Sequence, residues 1–253
     1  MRREAVIRDV HRCTDTPREK SETNRINSGR NRMLVEVDDH GMINHARVRH
    51  ARSPQIERGK RAWAITGIVV HQTDGDTSAS SLNSYKRPKA NGAHFLIDKD
   101  GTIYQTAAIY QRTNHVGPLQ ARCLVIPTCT LSDFPERVGA TAMHRIEMSK
   151  APSDRYPSNM EAIGIEMVGR ARLPEGFQPT VKQKKMPLER LRGDFGVFPT
   201  PTAAQNQALS WLVHVLQSSM KLATSEVFRH PEVSRKNSTE ARGANWTLPI
   251  PTP

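Results

Sequence analysis

Ile65-Thr66-Gly67-Ile68-Val69-Val70-His71-Gln72-Thr73 is a β-branched run that closes on three polar residues. Its composition suits a buried strand with a polar end. Working outward, residues 93–97 and 102–105 read as two further strands. Asp98-Lys99-Asp100-Gly101 between them ends in an Asp-Gly pair suited to a tight hairpin turn. Residues 163–168, Ile-Gly-Ile-Glu-Met-Val, make another buried-looking strand interrupted by a single acid, Glu166. Thr202-Ala-Ala-Gln205 is a capping box, and behind it Ala208, Leu209, Leu212, Val215, Leu216 and Met220 recur at helical spacing. A second helix is expected over 78–85. Strands separated by helices make a mixed α/β domain over 62–253.

Around that domain the patterning fades. Residues 1–61 read as a basic N-terminal extension, partly flexible, whose first 30 or so residues have no periodicity. Within it, 33–37 and 43–48 predict a short hairpin around Asp39-His40-Gly41. Residues 118–160 are polar and punctuated by Pro with no clean period, which reads as an insertion or an active-site loop region. The tail Leu248-Pro-Ile-Pro-Thr-Pro253 cannot continue a helix and reads as an extended strip.

Composition narrows the function classes. The 253 residues include 37 Lys and Arg against 25 Asp and Glu, a net charge of +12, with 36% hydrophobic and 5% aromatic residues. Mean hydropathy is -0.60. The longest apolar run, residues 64–70, is far below the ~20 residues a bilayer span needs. Three Cys exclude a disulfide scaffold, and Cys123 and Cys129 stand equally well as a disulfide or as two thiols. The charge implies an anionic partner. Few aromatics and no nucleic-acid-binding motif argue against DNA or RNA. Met1-Arg2-Arg3 is followed by no apolar h-region, so the expectation is a product made in the cytoplasm without a signal peptide.

Four polar positions are placed for chemistry. His71 ends the first core strand, His230 precedes Pro231 after the long helix, Glu240 follows ten residues on, and Glu166 stands mid-strand. Singly, each has a bland reading. His71 suits a hydrogen-bonded core histidine and His230-Pro231 a helix stop. Glu166 suits the solvent face of an edge strand, and Lys236 with Glu240 an i, i+4 surface pair. As a set, two His and a carboxylate are the ligand types of an open zinc site, with a further Glu as base.

Six stretches occur in an order that resembles the N-acetylmuramoyl-L-alanine amidase, or peptidoglycan recognition, family. They are Ile68-Val-Val-His71-Gln-Thr, Gly92-Ala-His94-Phe-Leu-Ile-Asp-Lys-Asp-Gly101, Asn114-His115-Val-Gly117, Ser158-Asn159 with Ile163-Gly-Ile-Glu166, Thr202-Ala-Ala-Gln205, and His230-Pro with Lys236 and Glu240. The stretch 230–241 also resembles amidases that Gram-negative bacteria deliver as antibacterial effectors, type VI secretion among the routes. The resemblance implies a central mixed β-sheet flanked by helices and a zinc cofactor. It implies His71 and His230 as zinc ligands, with Glu240 the nearest carboxylate to the third position. Counted from Lys236, that position falls instead on Ser238, a poor ligand. Glu166 matches the general base and Lys236 the nearby basic residue, while His94 and His115 fall on cleft walls as substrate contacts. The implied reaction cuts the amide between N-acetylmuramic acid and L-alanine in peptidoglycan, in the periplasm or cell wall after delivery. A cognate immunity protein and secretion machinery are the implied partners. The alternative is a non-catalytic peptidoglycan-binding module of the same fold.

Overall fold

A computed structural model describes residues 35–61, 64–134 and 138–250. The arm expected over the first 30 residues, with Cys13, and the last three residues of the tail lie outside them. The hairpin near residue 40 forms from β1 (Glu36–Val37) and β2 (Ile43–Asn44). Gly41 turns it with a positive φ of 80°. Then come β3 (Val48–His50), β4 (Glu57–Lys60), β5 (Gly67–Gln72), α1 (Ser78–Tyr85), β6 (Phe95–Ile97), β7 (Ile103–Gln105) and β8 (Gln111–Thr113). The second half holds α2 (Ala140–Met148), β9 (Ala162–Met167), α3 (Leu188–Phe195), α4 (Ala203–Met220), β10 (Val227–Arg229) and α5 (His230–Val233).

Six strands form one mixed sheet in the order β10-β5-β9-β6-β7-β3. β10, β5, β9 and β6 run parallel, and β7 turns back against β6. All six residues of β5 are buried, because the period of two sends Ile68 and Val70 to one core and Val69 to another. The first core is closed by α4, which buries Leu209, Trp211, Leu212, Val215 and Leu216. Each such burial stabilises by roughly 1.5–3 kcal/mol. The capping box at Thr202 is present, with Thr202 Oγ1 and Gln205 Oε1 exchanging backbone N–H bonds at 3.0 Å. On the other face Val69 and Phe228 pack with Leu119, Tyr156 and Val233.

Three features depart from the sequence reading. The boundary at residue 62 cuts through the sheet, because β3 pairs in parallel with β7 as the edge strand, Val48 opposite Ile103. One apolar residue followed by two polar, exposed ones, Val48-Arg49-His50, hid it. The aperiodic stretch 118–160 contains α2, a helix whose one fully buried side chain is the acid Glu147, so no apolar stripe marks it. Cys123 and Cys129 in the same stretch form a disulfide. Third, Pro231 does not stop a helix but opens one: it sits in the first turn of α5, where its missing N–H is not needed.

A buried ion pair fixes the entry to β9. Arg155 reaches both carboxylate oxygens of Glu161, at 2.8 and 3.2 Å, and Ser158 adds its N–H and hydroxyl. Burial pushes the Glu161 carboxyl up, but Arg155 and Ser158 outweigh it and hold the group below its ordinary value. Its contribution is therefore present above the unfolded pKa and lost as pH falls through the lower folded value. Glu161→Ala, which strands Arg155, is expected to cost about 3–5 kcal/mol by denaturant titration at pH 7. The difference should shrink when the titration is repeated at successively lower pH, as the wild-type carboxylate is protonated.

Candidate active site

Parallel neighbours in register point their side chains the same way, and ligands of open α/β sheets gather beyond the carboxyl ends of such strands. Here β10, β5 and β9 all end on one side. His71 sits opposite Glu166 near the ends of β5 and β9, and His230 follows β10 directly. Glu240 comes from a loop fastened from several directions. Gln72 Oε1 accepts from the Ala241 N–H at 2.9 Å, and Arg229 donates to the Ala241 and Ala244 carbonyls. Asn237 donates its amide to the carbonyls of Gly193 and Gly196. Ala241 takes a positive φ of 54°, which completes the turn.

These constraints bring His71, His230 and Glu240 together, with one ligand atom from each inside a 4.8 Å spread. Glu240 Oε1 lies 2.9 Å from His230 Nδ1 and 3.5 Å from His71 Nδ1. Two atoms bound to one tetrahedral zinc at 2.0–2.1 Å stand roughly 3.3 Å apart, so the spacing fits that ion. The protonation states fit as well, since a metal needs neutral imidazole and ionised carboxylate. Burial, reinforced by the neighbouring His230, lowers His71 to about 4. Burial alone would raise Glu240, but its hydrogen bonds to His230 and His71 hold it at about 2. Ser238 does not line the cleft that His71, His230 and Glu240 line together, and its hydroxyl lies 3.4 Å from Arg242.

Glu166, on the same face, faces a cleft of about 980 Å³ that His71, His115, His230, Lys236 and Glu240 also line. Its carboxyl is raised to about 7 by burial, against the hydrogen bond from Tyr85 and with the Glu240 charge adding to the rise. Lys236 is exposed on the cleft lining.

The two remaining histidines part company. His94 is fully buried and not among the residues lining the cleft. Its Nδ1 accepts the Gly164 N–H at 3.0 Å, while Nε2 lies 3.0 Å from the Gln111 carbonyl and 2.6 Å from the Arg61 guanidinium. His94 is thus a buried, hydrogen-bonded histidine just ahead of β6, not a substrate contact. His115 does line the cleft, but its Nδ1 is 2.9 Å from His71 Nε2. Gly164 makes this possible, since a Cβ there would fall 2.7 Å from His115 Nδ1. The Asn159 side chain fixes the segment by accepting from the His115 and Val116 N–H groups. A cation held at His71 Nδ1 would leave the ring proton on Nε2, where His115 Nδ1 would accept it and orient the ring. His115→Ala is accordingly expected to weaken zinc binding by about 10–100-fold in a competition titration.

Residues 60–243 match the N-acetylmuramoyl-L-alanine amidase family. The chain belongs to that family. Among solved structures the amidase is similar to AmpD, at 18% identity over 85% of this chain and 96% of that one, with a TM-score of 0.47. It is similar to the endolysin N-acetylmuramoyl-L-alanine amidase LysCS from Clostridium intestinale, at 16% identity over 74% and 83%, TM-score 0.40. It is also similar to peptidoglycan recognition protein SD of Drosophila, at 13% identity over 79% and 91%, TM-score 0.38. No curated protein matches the chain. Among the described residues, no helix is long and apolar enough to cross a membrane.

Two contributors escaped the sequence reading. Gln72 anchors the Glu240 loop and was legible only as part of a polar triplet. Tyr85 holds Glu166, and nothing in its helix marks it.

Proposed function

We propose that this amidase hydrolyses the bond between the lactyl group of N-acetylmuramic acid and the L-alanine of the peptidoglycan stem peptide, with zinc held by His71, His230 and Glu240. The convergence of those three donors with Glu166 in one cleft carries the reading. A bound Zn²⁺ would polarise the scissile carbonyl and acidify a water. Glu166 accepts a proton from the attacking water and returns it to the leaving amine, so that one carboxyl serves as base and then acid. Lys236, on the cleft lining, supplies a cation toward the negative charge that grows on the carbonyl oxygen. His115 keeps the His71 ring in its tautomer. A full donor set with a carboxylate base beside it supports an enzyme over a non-catalytic binder.

We further propose that the protein works as a delivered, antibacterial amidase on the cell wall, with a cognate immunity protein in its producer. The Cys123–Cys129 disulfide suits an oxidising compartment such as the periplasm. The excess of 37 basic over 25 acidic side chains suits a polymer whose stem peptides carry free carboxylates.

Purified protein should release stem peptides with a free L-alanine amine from isolated peptidoglycan, and a chelator should stop the release. Sacculi left undigested by zinc-loaded protein would sink the proposal. Directing the chain to the periplasm of a Gram-negative host should cause lysis, while the same chain kept in the cytoplasm should be harmless. Equal growth in both cases would refute the delivery part alone.

A further inference from the structure

Tyr85 closes α1 and is buried, with 3% of its surface exposed. Its ring packs with Ile56 and Ala107. Gly92 backs the ring so closely that a Cβ there would fall 2.9 Å from Tyr85 Cε1 and 3.0 Å from Ile56 Cγ2. The Tyr85 carbonyl is pinned by the Ser53 hydroxyl at 2.7 Å. A ring packed on these sides and tied at its backbone is held in one rotamer. From that position the Tyr85 hydroxyl donates to Glu166 Oε2 at 2.7 Å.

Among the described residues this is the one hydrogen bond that the Glu166 side chain makes, and it occupies one oxygen. Glu166 lines the cleft while Tyr85 is not among its lining residues, so the phenol holds the carboxylate from behind. A glutamate has three side-chain torsions to order, and a proton acceptor misplaced by 1 Å loses about 100-fold in rate. A neutral donor suits this task. An ammonium or guanidinium in the same place would hold the carboxylate as firmly but would make it a poorer base.

We infer that Tyr85 is a positioning residue of the amidase: its buried hydroxyl fixes Glu166 by one carboxylate oxygen so that the other faces the attacking water. The inference rests on Glu166 acting as the base. It assigns Tyr85 no contact with the substrate.

Tyr85→Phe keeps the ring packing and removes the hydroxyl alone. In zinc-loaded full-length protein acting on a soluble muropeptide, it should lower kcat by about 10–100-fold. KM should stay within about twofold, because an interaction lost from the transition state alone leaves substrate binding in place. Bound zinc should be unchanged. The double variant Tyr85→Phe/Glu166→Gln should be no slower than Glu166→Gln alone, because a hydroxyl that acts through the carboxylate has nothing left to position. Three results would overturn the inference while leaving the base assignment standing: undiminished kcat in Tyr85→Phe beside a slow Glu166→Gln, a loss confined to KM, or losses that multiply in the double variant. Full activity in Glu166→Gln would instead remove the base assignment, and the inference with it.

Discussion

His71→Ala is expected to release the zinc and bring amide hydrolysis down to background. The proposed site has three protein ligands, and two would not hold the ion against solvent in the geometry the reaction needs. The ring also joins both halves of the site, meeting Glu240 through Nδ1 and His115 through Nε2. Removing it therefore loosens a partner on each side. The loss is expected in zinc content by atomic emission and in turnover together, and His230→Ala should behave alike. An ion that binds only the folded chain, present at 1,000 times its Kd, stabilises the native state by about 4.1 kcal/mol. Chelation should accordingly lower the melting temperature of the wild type and leave that of His71→Ala unmoved. Full turnover in His71→Ala would remove the metal assignment.

Glu166→Gln separates chemistry from binding. The amide fills the same space and can still accept from Tyr85 with its carbonyl oxygen, but it cannot take a proton. Turnover should fall by about 10²–10⁴-fold, the usual worth of a positioned general base, while zinc content stays at the wild-type level. The pH profile adds a second readout. A base works only when deprotonated, so kcat/KM falls as pH drops through its pKa. Burial raises Glu166 to about 7, and a dication beside it draws that value down. The acid limb is thus expected at or below pH 7 in the wild type and should be absent from Glu166→Gln. Loss of zinc in this variant would instead make Glu166 a ligand.

Legibility in the sequence followed the range of the forces involved. β5, β9 and α4 were readable because burial imposes a period on contiguous residues, and the order of His71, Glu166, His230 and Glu240 then marked the strand ends. The short edge strand β3 was not readable, since one buried Val followed by two exposed polar residues is too short to show a period. α5 was missed because Pro reads the same whether it stops a helix or opens one. The choice between Glu240 and Ser238 could not be made from spacing. It depends on Gln72 holding the Ala241 backbone across 169 residues of chain. His94 and His115 look alike as histidines in two of the stretches that carry the resemblance. They differ because the Gly164 N–H claims one ring and the open face over Gly164 seats the other beside His71. The tie from Tyr85 to Glu166 spans 81 residues and left no local mark.

The most direct test of the account is anomalous diffraction at the zinc edge from crystals of the full-length, zinc-loaded protein. The account predicts one strong peak bonded to His71 Nδ1, His230 Nδ1 and a Glu240 carboxylate oxygen, with Glu166 beside it and not bonded to it. A zinc-loaded crystal with no peak among those three residues, or with the ion held by a different set, would contradict it.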